Sequence, residues 1–180
     1  GASPRTRVFA MKKVLVSCLV LSYGSVIAAC DLTRFTANSS ATMFTRAGGA
    51  VERHWDPDLV GEGLPGSIMT LEGVYSIVPD NEPLGIQLAR AYASYAFGWV
   101  ENEAEIADLA GDIDRTDELN GRARLLYERA RNIALHHLRM RDAGIDDAIH
   151  GGPTALTAYL SARYTSPEHA ALLFWAGYSW

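Results

Sequence analysis

Apolar residues recur every three or four positions between Pro83 and Glu101: Leu84, Leu88, Tyr92, Tyr95 and Trp99. At about 100° per residue, this spacing places their side chains along one face of an α-helix. Four alanines lie between them, and such small residues let a second helix approach closely. Pro83 suits the first helical turn, where the missing N–H of proline leaves no hydrogen bond unmade. The pattern predicts a helix from Pro83 to Glu101.

The same spacing predicts four further helices. Ser67–Val78 is joined to the first helix by a short Pro-Asp-Asn segment, so the two helices form an αα-hairpin. The longest pattern runs from Leu119 to Met140, and shorter apolar patterns run from Thr154 to Tyr164 and from His169 to Trp180. We therefore predict an all-α fold.

Glycine, proline and acidic residues mark the breaks between these helices. The segment Gly61–Gly66 contains three glycines and a proline, which predict an interruption of the chain. The acidic stretch Ile106–Asp117 predicts a solvated loop or a frayed helix, because it lacks the Asp/Asn-Gly pattern of a calcium loop. Ser166 precedes Pro167 and an acidic residue, an arrangement typical of a helix N-cap.

The amino end has the order of a bacterial lipoprotein signal. Lys12 and Lys13 precede an apolar run that ends in Ile-Ala-Ala directly before Cys30, which resembles a lipobox. We expect cleavage before Cys30 and a diacylglyceryl group on its sulfur. The alternatives are an uncleaved membrane anchor or an ordinary buried thiol at Cys30. Three serines and a glycine within the run oppose a membrane-spanning helix.

These features divide the chain into three parts. Residues 1–29 form the predicted signal peptide, with residues 1–10 as an upstream extension. Residues 30–60 are predicted to be a polar, lipid-anchored tether that contains a short helix near Ala41–Ala47. Residues 61–180 form the predicted helical domain. Its last helical pattern stops at Trp180 without a C-cap, so we expect further helices after it in the complete protein.

Charge separates the amino end from the rest of the chain. Four of the 16 basic residues precede Cys30, and the other 12, all arginines, accompany 21 acidic residues, a formal charge of −9. Phosphate binding needs a basic surface, so this acidic balance argues against nucleic acid as a partner. It also argues against adsorption of the domain to anionic lipid, which leaves the lipid anchor as the predicted membrane contact.

Successive helix pairs suggest an α-solenoid of tetratricopeptide type with an irregular period. Three segments resemble a known family, the T-components of TRAP transporters (TatT family): Leu88–Glu101, Arg122–Leu138 and Ala171–Trp180. The lipobox at Cys30 is similar to that of the family as well. The resemblance covers most of the chain that follows the signal peptide, in the same order.

The resemblance implies a lipid-anchored protein in the periplasm, built of tetratricopeptide-like hairpins. It also implies assembly as a homotrimer. The partner that it implies is a periplasmic solute-binding protein, which delivers solute to a membrane carrier. Members of the family continue beyond the motif at which this chain stops.

The five histidines form no evident catalytic or metal-binding motif. His136 and His137 are neighbours on a helix, so their side chains point about 100° apart. His137 lies on the apolar stripe, which predicts a core histidine whose polar atoms are satisfied. Asp147 and His150, together with the hydroxyl of Thr154, could suggest an enzyme, but no activated nucleophile accompanies them. We therefore predict no enzyme activity, no metal and no cofactor.

Two of the predicted helices are rich in aromatic side chains. The residues that could line an apolar pocket for a hydrophobic small molecule are Tyr92, Tyr95, Trp99, Phe174, Trp175 and Tyr178. Each buries about 150–250 Å² when enclosed, so the same residues could instead pack the hairpins together. Two functions follow: a transport subunit that docks a solute-binding protein and binds a hydrophobic solute, or a structural adaptor of the envelope without solute.

Overall fold

The structure is a computed structural model that describes residues 32–180; the predicted signal peptide and Cys30 lie outside these residues. Its helices are α1 (32–52), α2 (Pro57–Ile77), α3 (Glu82–Tyr95), a π-helical segment (Ala96–Glu101), α4 (Asn102–Leu109), α5 (Ile113–Arg141), α6 (Ile145–His150), α7 (Gly152–Arg163), a 3-10 turn (Pro167–His169) and α8 (Ala170–Tyr178). Residues 32–180 contain no strand. The predicted all-α fold is confirmed.

The long helix α5 is the one against which most of the domain packs. Its 29 residues contact α3, the π-helical segment, α4 and α8. α2 packs on α3 as the predicted αα-hairpin, and α6 packs on α7. This succession of paired helices is the solenoid-like arrangement that the sequence predicts.

Three groups of buried apolar side chains hold the helices together. The first lies between α1, α2, α3 and α5 and includes Leu88. The second joins α5, α6 and α8 and includes Leu172, and the third joins the π-helical segment, α4 and α5 and includes Leu119. Each fully buried leucine contributes about 1.5–3 kcal/mol relative to exposure, so these groups define the stable body of the domain.

α2 is longer than the sequence predicts, and the predicted break at Gly61–Gly66 is wrong. The helix begins at Pro57, where the Asp56 side chain accepts hydrogen bonds from the N–H groups of Asp58 and Leu59, each 3.1 Å long. Pro65 lies inside the helix and removes one backbone hydrogen bond. Packing of the helix against its neighbours outweighs this local cost.

The acidic stretch Ile106–Asp117 is more ordered than predicted. α4 continues to Leu109, and a turn at Gly111, whose φ is 77°, leads directly into α5. The Asp112 carboxylate accepts a hydrogen bond of 3.1 Å from the N–H of Arg115 and so caps α5. The acidic residue that suggested a solvated loop therefore begins the longest helix.

α1 extends well beyond the predicted short helix at Ala41–Ala47. Ala37 and Ala41 are buried in the first core group. The hydroxyl groups of Thr36, Ser39 and Thr42 donate to carbonyl oxygens four residues earlier in the same helix. The three hydroxyl groups therefore bond within the helix, and burial of Ala37 and Ala41 offsets the weak helix preference of a segment rich in threonine and serine.

Two of the predictions concern the last third of the chain: the N-cap at Ser166 and the helix over Thr154–Tyr164. Ser166 occupies the predicted N-cap position, directly before the 3-10 turn and with an extended backbone, but its side chain makes no cap hydrogen bond. The helix predicted over Thr154–Tyr164 forms as α7, two residues longer at its start. Within residues 32–180, no helix combines the length and the apolar character needed to cross a membrane.

Candidate functional site

An apolar cleft opens between the carboxyl half of α1, the amino half of α2 and α3. One part of it is a cavity of about 430 Å³ that also reaches Trp99 and Trp175. The other part, of about 510 Å³, is lined by Phe44 and Leu71 among others. Both parts are bordered by the same five residues: Gly48, Val51, Leu64, Gln87 and Ala91. We call the two parts together the α1–α3 cleft, and their volumes lie in the range of small-molecule sites.

The π-helical segment places Trp99 in this cleft. The indole of Trp99 lies so close to α2 that a Cβ atom at Gly61 would overlap the indole nitrogen. Only glycine at this position lets the ring lie against the helix. The ring also stacks on Tyr95, with centroids 6.1 Å apart and an interplanar angle of 21°. Trp99 is therefore held between two elements rather than free at the surface.

Trp175 closes the cleft from α8, next to a pair of charged residues. The guanidinium carbon of Arg90 lies 5.9 Å from the centroid of the Trp175 ring, within cation–π distance. Arg90 also forms an ion pair with Glu52, and both residues line the cleft. Because these two charges neutralise each other, the pair adds no net charge to the lining of the cleft.

Tyr92 and Tyr95 pack beside the cleft rather than in it. Both are half-buried against the first core group. The Tyr92 hydroxyl donates to Oε2 of Glu72 at 3.0 Å, and burial followed by the charge of Glu72 raises the pKa of Tyr92. The Tyr95 hydroxyl accepts a hydrogen bond of 3.1 Å from Nη2 of Arg122. The hydroxyl groups of both tyrosines thus have partners within the fold.

Phe174 and Tyr178 lie on a different side of α8. Their rings stack with centroids 5.6 Å apart, and Phe174 is 56% exposed. Tyr178 lines a second cavity of about 610 Å³, together with Phe97, Tyr127 and Trp180 among others. Of the six predicted residues, Trp99 and Trp175 both line the α1–α3 cleft, and the other four do not line it. Phe174 and Tyr178 nevertheless touch Trp175, with ring centroids 4.8 Å and 5.8 Å from it.

The walls that α1 and α2 supply to the cleft were not among the predicted site residues. A signal for the α2 wall was present, because Val60 and Leu64 extend the helical spacing of Ile68, Leu71 and Tyr75 towards the amino end. The steps of four, four, three and four match those from Leu84 to Trp99. The glycines and the proline within the segment obscured them. Gly48 and Val51 of α1 carry no comparable periodic signal.

The residues considered for catalysis do not form a cleft. Asp147, His150 and Thr154 are all exposed. Nδ1 of His150 lies 2.7 Å from the carbonyl oxygen of Asp146, so this contact is made within α6. Across residues 32–180, no group of three or more histidine, cysteine or acidic side chains is arranged to hold a metal ion.

Comparison with known proteins gives one family. The family model described as TRAP transporter T-component matches residues 53–180, which include every helix from α2 to α8 and more than two thirds of the chain. No curated protein and no solved structure shows a significant match. The chain therefore belongs to the family of TRAP transporter T-components, and its role is associated with a TRAP transport system.

Proposed function

We propose that this protein is a lipid-anchored subunit of a TRAP transport system that faces the periplasm and binds a hydrophobic small molecule in the α1–α3 cleft. In this role it docks a periplasmic solute-binding protein. Family membership supports the transport role. The observation that carries the ligand proposal is that Trp99 and Trp175 both line the α1–α3 cleft.

The walls of the cleft favour a hydrophobic ligand. The charges of Glu52 and Arg90 are paired, and the remaining polar side chains of the lining are those of His54, Ser67, Thr70, Gln87 and Ser94. An indole ring offers a large rigid apolar face, and burial of apolar ligand surface contributes about 25 cal/mol per Å² before the costs of association. The amide of Gln87 is the group that would orient a polar end of the ligand.

The proposed anchor at Cys30 and the proposed homotrimer would both favour docking. A lipid anchor raises the effective concentration of the subunit near the membrane carrier without any new contact.

Phe97, Phe174 and Trp180 are large exposed rings, and exposed aromatic clusters are typical of protein–protein contacts. These rings supply apolar area for a trimer contact or for the solute-binding protein.

The docking proposal is tested by purifying the full-length, lipid-anchored protein from its native envelope and identifying bound proteins by mass spectrometry. We expect a periplasmic solute-binding protein in stoichiometric amount. The Cys30→Ser variant, which lacks the proposed lipid attachment site, serves as control for proteins that follow the lipid anchor rather than the subunit. Recovery of envelope assembly factors alone would overturn the docking proposal.

A structural adaptor without solute is the second candidate, and the exposed rings of Phe97, Phe174 and Trp180 favour it. Such an adaptor needs protein contacts but no ligand. Titration with the apolar fluorescent probe N-phenyl-1-naphthylamine separates the two candidates. Saturable binding at one site supports a ligand cleft, whereas no binding supports the adaptor.

A further inference from the structure

A separate apolar groove lies at the opposite end of α1, between its first turns and the last turns of α2. It has a volume of about 400 Å³. Leu32, Thr36 and Ala37 line it on α1, and Val74 and Ile77 line it on α2. We call it the amino-terminal groove. It shares no lining residue with the α1–α3 cleft.

The walls of the amino-terminal groove are suited to a hydrocarbon. None of its lining residues carries a charge. The hydroxyl of Thr36 donates to the carbonyl oxygen of Leu32 at 2.8 Å, so its hydrogen bond is made within α1. Small side chains on α1 face the aliphatic side chains of Val74 and Ile77. A ligand here would need apolar surface along its length and a narrow cross-section.

Polar contacts beside the groove fix the two helices relative to each other. Nη2 of Arg34 lies 2.8 Å from Oδ1 of Asp80, just beyond α2. Nδ2 of Asn81 donates to Oδ1 of Asn38 at 2.8 Å. These contacts join α1 to the turn between α2 and α3. The groove is therefore a defined feature of the fold, although it is open to solvent.

The position of the groove in the chain indicates its occupant. Leu32 follows Cys30 by two residues, and two residues span at most about 7 Å. A lipid on Cys30 would therefore be attached at the edge of the groove. We infer that the amino-terminal groove binds one acyl chain of the lipid attached at Cys30. This inference rests on the lipid attachment in the proposed function.

The bound acyl chain would orient the domain on the membrane. It would hold the beginning of α1 and the turn between α2 and α3 close to the bilayer. The α1–α3 cleft lies towards the other end of α1, which at about 1.5 Å per residue is roughly 30 Å long over residues 32–52. The cleft would then face away from the membrane, where a periplasmic partner can reach it.

The test is photo-crosslinking in the full-length protein. Cells that express it are grown with a palmitic acid analogue that carries a diazirine near its methyl end, and intact envelopes are irradiated. Mass spectrometry then locates the label and the crosslinked residues. We expect the label on the Cys30 peptide and crosslinks to the peptide that contains Val74 and Ile77. Label on Cys30 with crosslinks only to lipid would overturn this inference and leave the proposed anchor intact.

Variants make the test specific. Ile77 is 41% exposed, and Ile77→Glu places a charge in the groove, so we expect at least a fivefold loss of crosslinks. Met69→Glu is the matched control, because Met69 is 69% exposed on the same helix and does not line the groove, so crosslinks should be unchanged. Equal loss in both variants would contradict the inference.

The source of the acyl chain is tested with Cys30→Ser. Crosslinks at α2 should disappear in this variant. Their persistence would assign the groove to free membrane lipid and overturn the anchored source. An unlabelled Cys30 peptide in the unmodified protein would overturn the lipid anchor and this inference together.

Discussion

The hydroxyl of Tyr75 lies 3.0 Å from Nε2 of His137 and joins α2 to α5 across 62 positions of the chain. Tyr75 is 6% exposed and His137 is 1% exposed. Burial raises the pKa of Tyr75 to about 12 and lowers the pKa of His137 to about 4. At neutral pH the contact therefore joins a neutral phenol to a neutral imidazole, as expected for a core histidine with a satisfied ring nitrogen.

This contact predicts a specific pattern of stability. His137→Leu leaves the Tyr75 hydroxyl buried without its partner, so we expect a loss of about 1–3 kcal/mol in the free energy of unfolding. The double variant Tyr75→Phe/His137→Leu removes both polar groups and should recover most of that loss. Urea unfolding followed by circular dichroism measures both values. A double variant less stable than His137→Leu would contradict the prediction.

His137 also predicts how stability depends on pH. Its pKa is about 4 in the folded protein and near 6.5 when unfolded, so the unfolded chain takes up the proton first as pH falls. The stability associated with the neutral ring is complete above pH 6.5 and is lost as pH falls towards 4, by roughly 3 kcal/mol if this group acts alone.

Urea unfolding at pH 7 and at pH 4.5 tests this dependence. The loss between the two values should shrink in the double variant Tyr75→Phe/His137→Leu. His136→Gln is the matched control, because His136 is the exposed neighbour on the same helix and its variant should keep most of the loss. Identical pH dependence in both variants would exclude His137 as the cause.

Gly85 on α3 lies directly against His137, so replacing it should also change the stability of the protein. A Cβ atom at Gly85 would overlap Nε2 of His137. Gly85→Ala should therefore cost about 1–3 kcal/mol, the usual range for overpacking a core. Gly73→Ala on α2 is the control, since no atom lies within 4 Å of its Cβ position, and it should stabilise the protein by about 0.5–1 kcal/mol. Thermal unfolding of both variants provides the measurement, and equal effects would contradict the prediction.

The residues that precede two helices predict different changes in the free energy of unfolding when each is replaced by alanine. Asp112→Ala removes the side-chain cap of α5 and should cost about 0.5–2 kcal/mol. Ser166→Ala removes a side chain that makes no cap bond and should leave the free energy of unfolding nearly unchanged. Chemical denaturation of the two variants compares them directly. A larger loss for Ser166→Ala would refute this assignment of caps.

Two neighbouring aromatic residues on α8 test the ligand cleft. Trp175 lines the α1–α3 cleft and Phe174 does not. Trp175→Ala should weaken binding of N-phenyl-1-naphthylamine about tenfold, or 1.4 kcal/mol. Phe174→Ala should change the dissociation constant by a smaller factor, because Phe174 affects the cleft only through its edge contact with Trp175. Fluorescence titration measures both constants, and a larger effect of Phe174→Ala would place the probe outside the cleft.

A helix could be predicted from the sequence where the local spacing of apolar residues agrees with the residues that the fold buries. Leu84 and Leu88 mark α3 by their spacing, and both are buried as predicted. The amino half of α2 was missed because Pro65 opposes a helix locally, whereas the packed helix tolerates it. Only Ala41–Ala47 of α1 was predicted, because the burial of Ala37 and Ala41 in the first core group depends on contacts that spacing does not show.

The candidate site was predictable only in its chemistry. Trp99 and Trp175 could be predicted as candidate ligand-binding residues because they are aromatic, but spacing could not show which helix faces they occupy. The Ala96–Glu101 segment has a wider turn than an α-helix, so the face assigned by a constant 100° step no longer holds beyond it. Trp99 and Tyr95, four residues apart, therefore have different surroundings despite their shared position in the predicted stripe.

The wider turn at Ala96–Glu101 also contributes side chains to two cavities. Trp99 lines the α1–α3 cleft, while Phe97 and Glu101 line the second cavity. A ligand in one cavity changes the affinity of the other when both ligands distinguish between two conformations of this turn. The reverse effect must then have the same coupling free energy, because linkage between two binding equilibria is reciprocal.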